Sequence, residues 1–193
     1  MYFEQPNPPK TYRQGRLDAL CGLYACINAQ RKLLTSNHSV IRLPWRHLFN
    51  ECLSHLSESS DLATIVADGL SPQQVWQATK YLKNQLLSQY RICTLLGRPL
   101  IKSEIKTPYM IFKAVTKKLE RPVYEAMICL QGLGVNHWTV VSKIADNYIY
   151  PFDSGGTKPI RCDSLVYGKP KQKEGEITDY FLSSGLILLK AVT

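Results

Sequence analysis

The chain has 193 residues, of which 45% are hydrophobic and 20% are charged, and its formal net charge is +9. This length can bury the core of one domain, and the composition argues against a disordered chain. The apolar runs are too short to span a bilayer, and the N-terminal residues lack the basic and apolar regions of a signal peptide. We therefore expect a single domain over residues 1–193, with an extended Pro-rich segment over 1–13. Its location is expected to be the cytoplasm, or a target cell reached through a secretion system that needs no signal peptide.

The first half of the chain has the hydrophobic pattern of helices. A run from about Leu20 to Leu34 is apolar around most of its circumference, which predicts a helix buried on several sides. Proline close to the first helical position predicts three further helices, over about 44–55, 72–87 and 109–119.

The second half of the chain has the pattern of strands. We predict strands over 123–130, 138–144, 147–152 and 186–192, and the short connection between the second and third predicts a hairpin. Because helices precede strands along the chain, the sequence predicts an α+β fold with segregated elements.

Six cysteines occur in the chain, and several of them lie in apolar runs. There they behave as small core residues, and nothing marks the protein as a disulfide-rich secreted domain. The sequence contains no Cys-x-x-Cys and no His-Glu-x-x-His motif, so we predict no metal site and no cofactor.

Cys21 stands at the predicted start of the first helix, after a turn-like segment that begins at Gln14. The helix dipole and the unpaired N–H groups of a helix start favour an anion such as a thiolate. Gly22 is expected to leave space for a substrate carbonyl, and the Gln14 amide is a suitable donor to an oxyanion. On this segment alone, a buried structural cysteine is the better interpretation.

His137 stands where a loop enters an apolar strand, and Asp153 follows the paired strand sixteen residues later. Imidazole is the natural base for a thiol, and the hairpin would return the carboxylate to the imidazole N–H, fixing its tautomer. Alternatives are a partly buried histidine without a role and an aspartate that caps its own turn. The joint occurrence with Cys21 favours a nucleophile, a base and an orienting group.

Three segments together resemble a papain-like cysteine peptidase: Gln14 to Gly22, Asn136 to Val141, and Phe152 to Gly155. More narrowly, they are similar to the bacteriocin-processing double-glycine peptidases and their stand-alone, toxin-type relatives. The resemblance implies a helical half with the cysteine, packed on an antiparallel sheet with the histidine and aspartate. It implies Cys21 as nucleophile, His137 as base, Asp153 as orienting group and Gln14 as oxyanion donor. Candidate substrate-binding residues beside them are Gly22, Asn136 and Trp138.

Three functions remain open at this point. The first is a peptidase that acts on a protein or peptide through an acyl-thioester, and the second is another thiol acyl transfer, by an amidase, deamidase or transglutaminase. The third is a basic nucleic-acid-binding domain, which is disfavoured because its basic and aromatic residues do not cluster on one strand face. The charge of +9 favours an acidic partner. With the toxin-type resemblance, it leads us to expect a proteinaceous inhibitor or immunity protein and no membrane partner.

Overall fold

The computed structural model describes residues 10–14, 18–37, 42–99, 107–131, 137–167, 180–181 and 185–192. The helices within these residues are α1 (Cys21–Asn37), α2 (Trp45–Ser57), α3 (Leu62–Asp68), α4 (Pro72–Tyr90) and α5 (Pro108–Leu119). The strands are β1 (Thr94–Gly97), β2 (Tyr124–Leu130), β3 (His137–Ala145), β4 (Tyr148–Phe152), β5 (Ile160–Arg161), β6 (Val166–Tyr167), β7 (Tyr180–Phe181) and β8 (Leu186–Ala191). A short 3-10 helix, Cys162–Ser164, follows β5. The predicted α+β class is confirmed, although β1 lies between α4 and α5.

Short polar sequences set where two of the predicted helices begin. The Ser71 side chain accepts a hydrogen bond from the Gln74 N–H, and the Gln74 side chain accepts one from the Ser71 N–H, so a capping box starts α4. Thr107 caps α5 by accepting from the N–H of Met110. These signals are local, which is why the sequence predicted both helices.

The helix α3 was not predicted from the sequence. This helix has seven residues and buries only Ile65. A single buried position gives no periodic hydrophobic pattern that could predict a helix. Asp61 starts it by accepting from the Thr64 N–H at 2.8 Å, and Gly69 ends it with a φ of 84°. A Cβ on Gly69 would lie 2.8 Å from the carbonyl oxygen of Ala19. Glycine therefore lets the end of α3 approach the segment that leads into α1.

Six strands form one sheet in the order β1-β8-β2-β3-β4-β5, and all neighbouring pairs are antiparallel. β3 and β4 form the predicted hairpin, whose turn residues Asp146 and Asn147 have φ values of 50° and 63°. Positive φ at both positions is what a two-residue type I′ turn requires. Because His137 begins β3, it lies at the end of the hairpin away from this turn. β6 and β7 form a separate parallel pair.

Each face of the six-stranded sheet is covered by helix. One face packs against α1, and its buried side chains include Met127, Cys129, Val140, Ile187 and Leu189. The other face packs against α5 and the 3-10 helix, and its buried side chains include Ala126, Ile128, Val141, Ile149 and Leu186. Side chains of β2 alternate between the two cores, so this strand is buried on both faces. None of the described helices is long and apolar enough to cross a membrane.

A buried ion pair joins α1 to β2. Lys32 Nζ lies 2.7 and 2.6 Å from the two carboxylate oxygens of Glu125, whose side chain is 3% exposed. Burial raises the pKa of Glu125 to about 7, against the opposing effect of the Lys32 charge and hydrogen bond. Since removal of either partner would leave a charge buried, the pair fixes how α1 lies on the sheet.

Candidate active site

Cys21 is the first residue of α1. The Leu20 carbonyl oxygen accepts the first hydrogen bonds of the helix, from the N–H groups of Leu23 at 2.9 Å and Tyr24 at 3.0 Å. Cys21 therefore stands in the first turn, where the helix dipole favours an anion. Its sulfur also accepts a hydrogen bond from the backbone N–H of Trp138 at 3.5 Å. The thiol thus lies between the start of α1 and the start of β3.

The segment before Cys21 is held against α3. The Ala19 N–H donates to the Val66 carbonyl oxygen at 2.8 Å, and the Leu20 N–H donates to Oδ1 of Asp18 at 3.1 Å. Together with the close approach of Gly69, these bonds fix the path of the chain into the helix. The cysteine is therefore positioned by two helices and one strand.

The His137 ring bridges Cys21 and Asp153. Nε2 of His137 lies 2.6 Å from Oδ1 of Asp153, and the ring also hydrogen-bonds the Cys21 side chain. Because the ring has two nitrogens and Nε2 contacts the carboxylate, Nδ1 is the nitrogen that remains for the sulfur. Burial lowers the pKa of His137, but the hydrogen bonds and charges of Asp153 and Cys21 outweigh burial and raise it to about 9. The imidazole is therefore protonated at neutral pH.

The second carboxylate oxygen of Asp153 holds its own loop. Oδ2 accepts from the N–H groups of Gly155 and Thr157, both at 2.9 Å, and from the Thr157 hydroxyl at 2.7 Å. Burial alone would raise the pKa of Asp153, but the hydrogen bonds from His137 and Thr157 lower it. The sequence left two alternative roles for Asp153, as a cap of its own turn and as the partner of the imidazole. In the structure Asp153 has both contacts. Thr157 carried no sequence signal, because its role depends on the shape of the loop.

Gln14 lies beside the cysteine and the histidine. Its backbone N–H donates to the Ser154 carbonyl oxygen at 3.2 Å, and its side-chain amide donates to the Asp18 carbonyl oxygen. The first bond ties the Gln14 segment to the loop that carries Asp153. The Gln14 backbone is therefore held by the Asp153 loop, and its side-chain amide is held by the segment that leads into α1.

These side chains surround a cleft of about 390 Å³. Gln14, Cys21 and His137 line it together with Cys129, Gln131 and the α3–α4 connection, residues 68–72. A larger cavity of about 500 Å³ lies between α5 and the β3–β4 turn, and none of Gln14, Cys21, His137 and Asp153 lines it. We place the candidate site in the smaller cleft because the reactive groups converge there.

Two residues predicted to contact substrate have side-chain positions in the core. A Cβ on Gly22 would lie 2.5 Å from Cγ2 of Val75 and 3.3 Å from Cδ1 of Trp138. Gly22 therefore permits close packing of α1 against α4 and β3, and the expected open space for a carbonyl is absent at this position. The Trp138 side chain is 2% exposed, so only its backbone N–H reaches the site. Asn136 lies outside the described residues.

The other cysteines near α1 differ from Cys21 in their surroundings. Cys26 is fully buried, with its sulfur 3.1 Å from the Thr79 hydroxyl, and burial raises its pKa to about 12. Cys129 lines the same cleft as Cys21, and burial followed by the effect of Cys21 raises its pKa to about 12. Both side chains are therefore thiols, not thiolates, at neutral pH.

We expect iodoacetamide at near-neutral pH to alkylate Cys21 before Cys26, because the thiolate is the reacting species. Peptide mapping by mass spectrometry at a series of short times would measure the two rates. Cys21→Ala supplies the control, in which the first modification should disappear. Rapid alkylation of Cys26 while Cys21 stays unmodified would contradict the assignment.

Comparisons with known proteins give no relative for this chain: no family model and no curated protein matches it. Within the described residues, no group of three or more His, Cys, Asp or Glu side chains is arranged to hold a metal ion.

Proposed function

We propose that the chain is a cysteine peptidase that cleaves a protein or peptide substrate, with the papain-like arrangement of nucleophile, base and orienting carboxylate. One observation carries the proposal: the His137 ring hydrogen-bonds the Cys21 side chain, and its Nε2 lies 2.6 Å from Oδ1 of Asp153. This contact lies at the start of a helix and in an open cleft. A thiol that contacts an imidazole, which in turn contacts a carboxylate, has the arrangement of an activated nucleophile.

The proposed first half-reaction forms a thioester. The Cys21 thiolate attacks the substrate carbonyl carbon, and the N–H groups at the start of α1 and the Gln14 amide stabilise the oxyanion. The His137 imidazolium then gives its proton to the leaving amine as the C–N bond breaks. The amine leaves and the acyl group stays on the sulfur.

The proposed second half-reaction uses water. His137, now neutral, takes a proton from a water molecule, whose oxygen attacks the thioester carbonyl carbon. The C–S bond breaks, the carboxylic acid product leaves, and the imidazolium–thiolate pair is restored. Asp153 stabilises the imidazolium and holds the ring orientation, because the hydrogen bonds of its other oxygen prevent it from turning away.

We expect the wild-type protein to generate new peptide N-termini in a protein digest, and Cys21→Ala to generate none. Mass spectrometry of amine-labelled peptides would detect the cleavages, with thermal unfolding of both proteins as the control for folding. Release of ammonia without new N-termini would show a deamidase or amidase on the same three residues. Equal cleavage by wild type and Cys21→Ala would contradict thiol catalysis altogether.

A further inference from the structure

We infer that Asp68 selects substrates with a positive charge, an ammonium or a guanidinium group, next to the bond that is cleaved. The inference rests on the proposed function and names the substrate class of the same cleft. Asp68 is the last residue of α3 and lines the same cleft as Cys21 and His137.

The position of Asp68 relative to the cysteine is set by the backbone. Val66, two residues before Asp68, accepts a hydrogen bond from Ala19, two residues before Cys21. Gly69, directly after Asp68, approaches the Ala19 carbonyl oxygen so closely that a Cβ would lie 2.8 Å from it. The carboxylate is thus carried on a rigid connection to the nucleophile, as a specificity group must be.

The charge of the cleft is opposite to that of the protein. The net charge of the chain is +9, yet none of the described residues that line the cleft is lysine or arginine. Arg98, which follows β1, donates to the Pro72 carbonyl oxygen and lies over the Trp76 ring, and it does not line the cleft. In the proposed mechanism the charges of Cys21, His137 and Asp153 sum to one negative charge. Asp68 adds a second negative charge at the described part of the cleft, which favours a cationic group of the substrate.

The Asp68 carboxylate has no structural use that would explain it. It is exposed, and among the described residues it has no side-chain hydrogen bond and no ion pair. It also stands in the last turn of a helix, where the unpaired carbonyl groups disfavour a negative charge. By contrast, Asp61, at the start of the same helix, has the stabilising position and the capping bonds. An exposed carboxylate at the C-terminal end of its helix, on a residue that lines the cleft, is suited to a cationic group of a ligand.

The test uses peptide chloromethyl ketone probes, which alkylate the Cys21 sulfur irreversibly with loss of chloride and differ from one another in one charge. Acetylated probes would carry either lysine or its uncharged analogue norleucine next to the ketone, and a third would carry norleucine with a free amino group. For wild type we expect the favoured cationic probe to react about fivefold to tenfold faster than the neutral one, and less so at high salt. The lysine and free-amine probes separate a side-chain charge from an N-terminal charge.

Asp68→Asn should remove this preference and Asp68→Lys should reverse it. Asp146→Asn is the matched control: it removes the same charge, in the turn at the other end of β3, and should leave the preference unchanged. A wild-type protein without preference, or a preference that survives in Asp68→Asn, would overturn the inference.

Alkylation by uncharged iodoacetamide separates this inference from the proposed function. If alkylation of Cys21 depends on His137 and the charged probes show no preference, only the role of Asp68 is refuted. If alkylation is the same in wild type and His137→Ala, the proposed activated thiol fails and the inference fails with it. Thermal unfolding of Asp68→Asn should show no loss of stability, because the substitution keeps the shape of the side chain.

Discussion

Replacing His137 by alanine should reduce kcat/KM on the order of 10³-fold or more, nearly as much as Cys21→Ala, because the two side chains act as a unit. The pKa of His137, about 9, suits the proposed role of proton donor to the leaving amine at neutral pH, and Nδ1 is the nitrogen that remains for the sulfur. Steady-state kinetics on a peptide taken from an observed cleavage site would measure the loss.

The double variant Cys21→Ala/His137→Ala tests whether the two side chains contribute to kcat/KM jointly or independently. Its kcat/KM should be no lower than that of either single variant, whereas independent effects would multiply. The loss of kcat/KM in Asp153→Ala should be about 10²-fold smaller than the loss in His137→Ala, since in the proposed mechanism the carboxylate orients the ring and does not react. Retention of a tenth or more of the wild-type activity by His137→Ala would exclude it as the base.

Replacing Gln14 by alanine should lower kcat by about 10²-fold and change KM little, because an oxyanion donor acts mainly in the transition state. The amide is held in place by the Asp18 carbonyl oxygen, and the Gln14 backbone is held by Ser154. In the proposed mechanism the second N–H of this amide donates to the oxyanion, since Gln14 lines the cleft.

Gln131 provides the matched control, since it lines the same cleft and has the same side chain. Gln131→Ala should have a much smaller effect on kcat than Gln14→Ala. The opposite order would transfer the oxyanion role to Gln131. It would also show that the seven-residue separation of Gln14 and Cys21 moves the amide away from the reacting carbonyl.

Much of the fold follows from short-range signals in the sequence. Ser71 and Thr107 mark helix starts through bonds to residues three positions later, and Asp146 and Asn147 permit a tight turn. The four predicted helices and the four predicted strands are therefore present, with ends that differ by a few residues. β1 was missed because it has four residues and is defined by its pairing with distant β8.

The candidate site divides in the same way. Cys21, His137 and Asp153 were predicted because each combines a reactive side chain with the end of an element. The packing role of Gly22 could not be predicted, because it depends on Val75, which is distant in the sequence. The position of Asp68 at the cleft could not be predicted for a similar reason, because it depends on the contacts of α3 with Ala19.

The hydrogen bond from Trp138 to the Cys21 sulfur joins residues that are 117 positions apart. Between these residues in the sequence lie most of the helices, and β8, which follows both of them, is inserted in the sheet between β1 and β2. Cys21 is therefore synthesised early, whereas the strands that surround its side chain pair late, after distant parts of the chain have been synthesised. During synthesis the cysteine therefore precedes its proposed catalytic surroundings, which we expect to form only after the ribosome has passed β8.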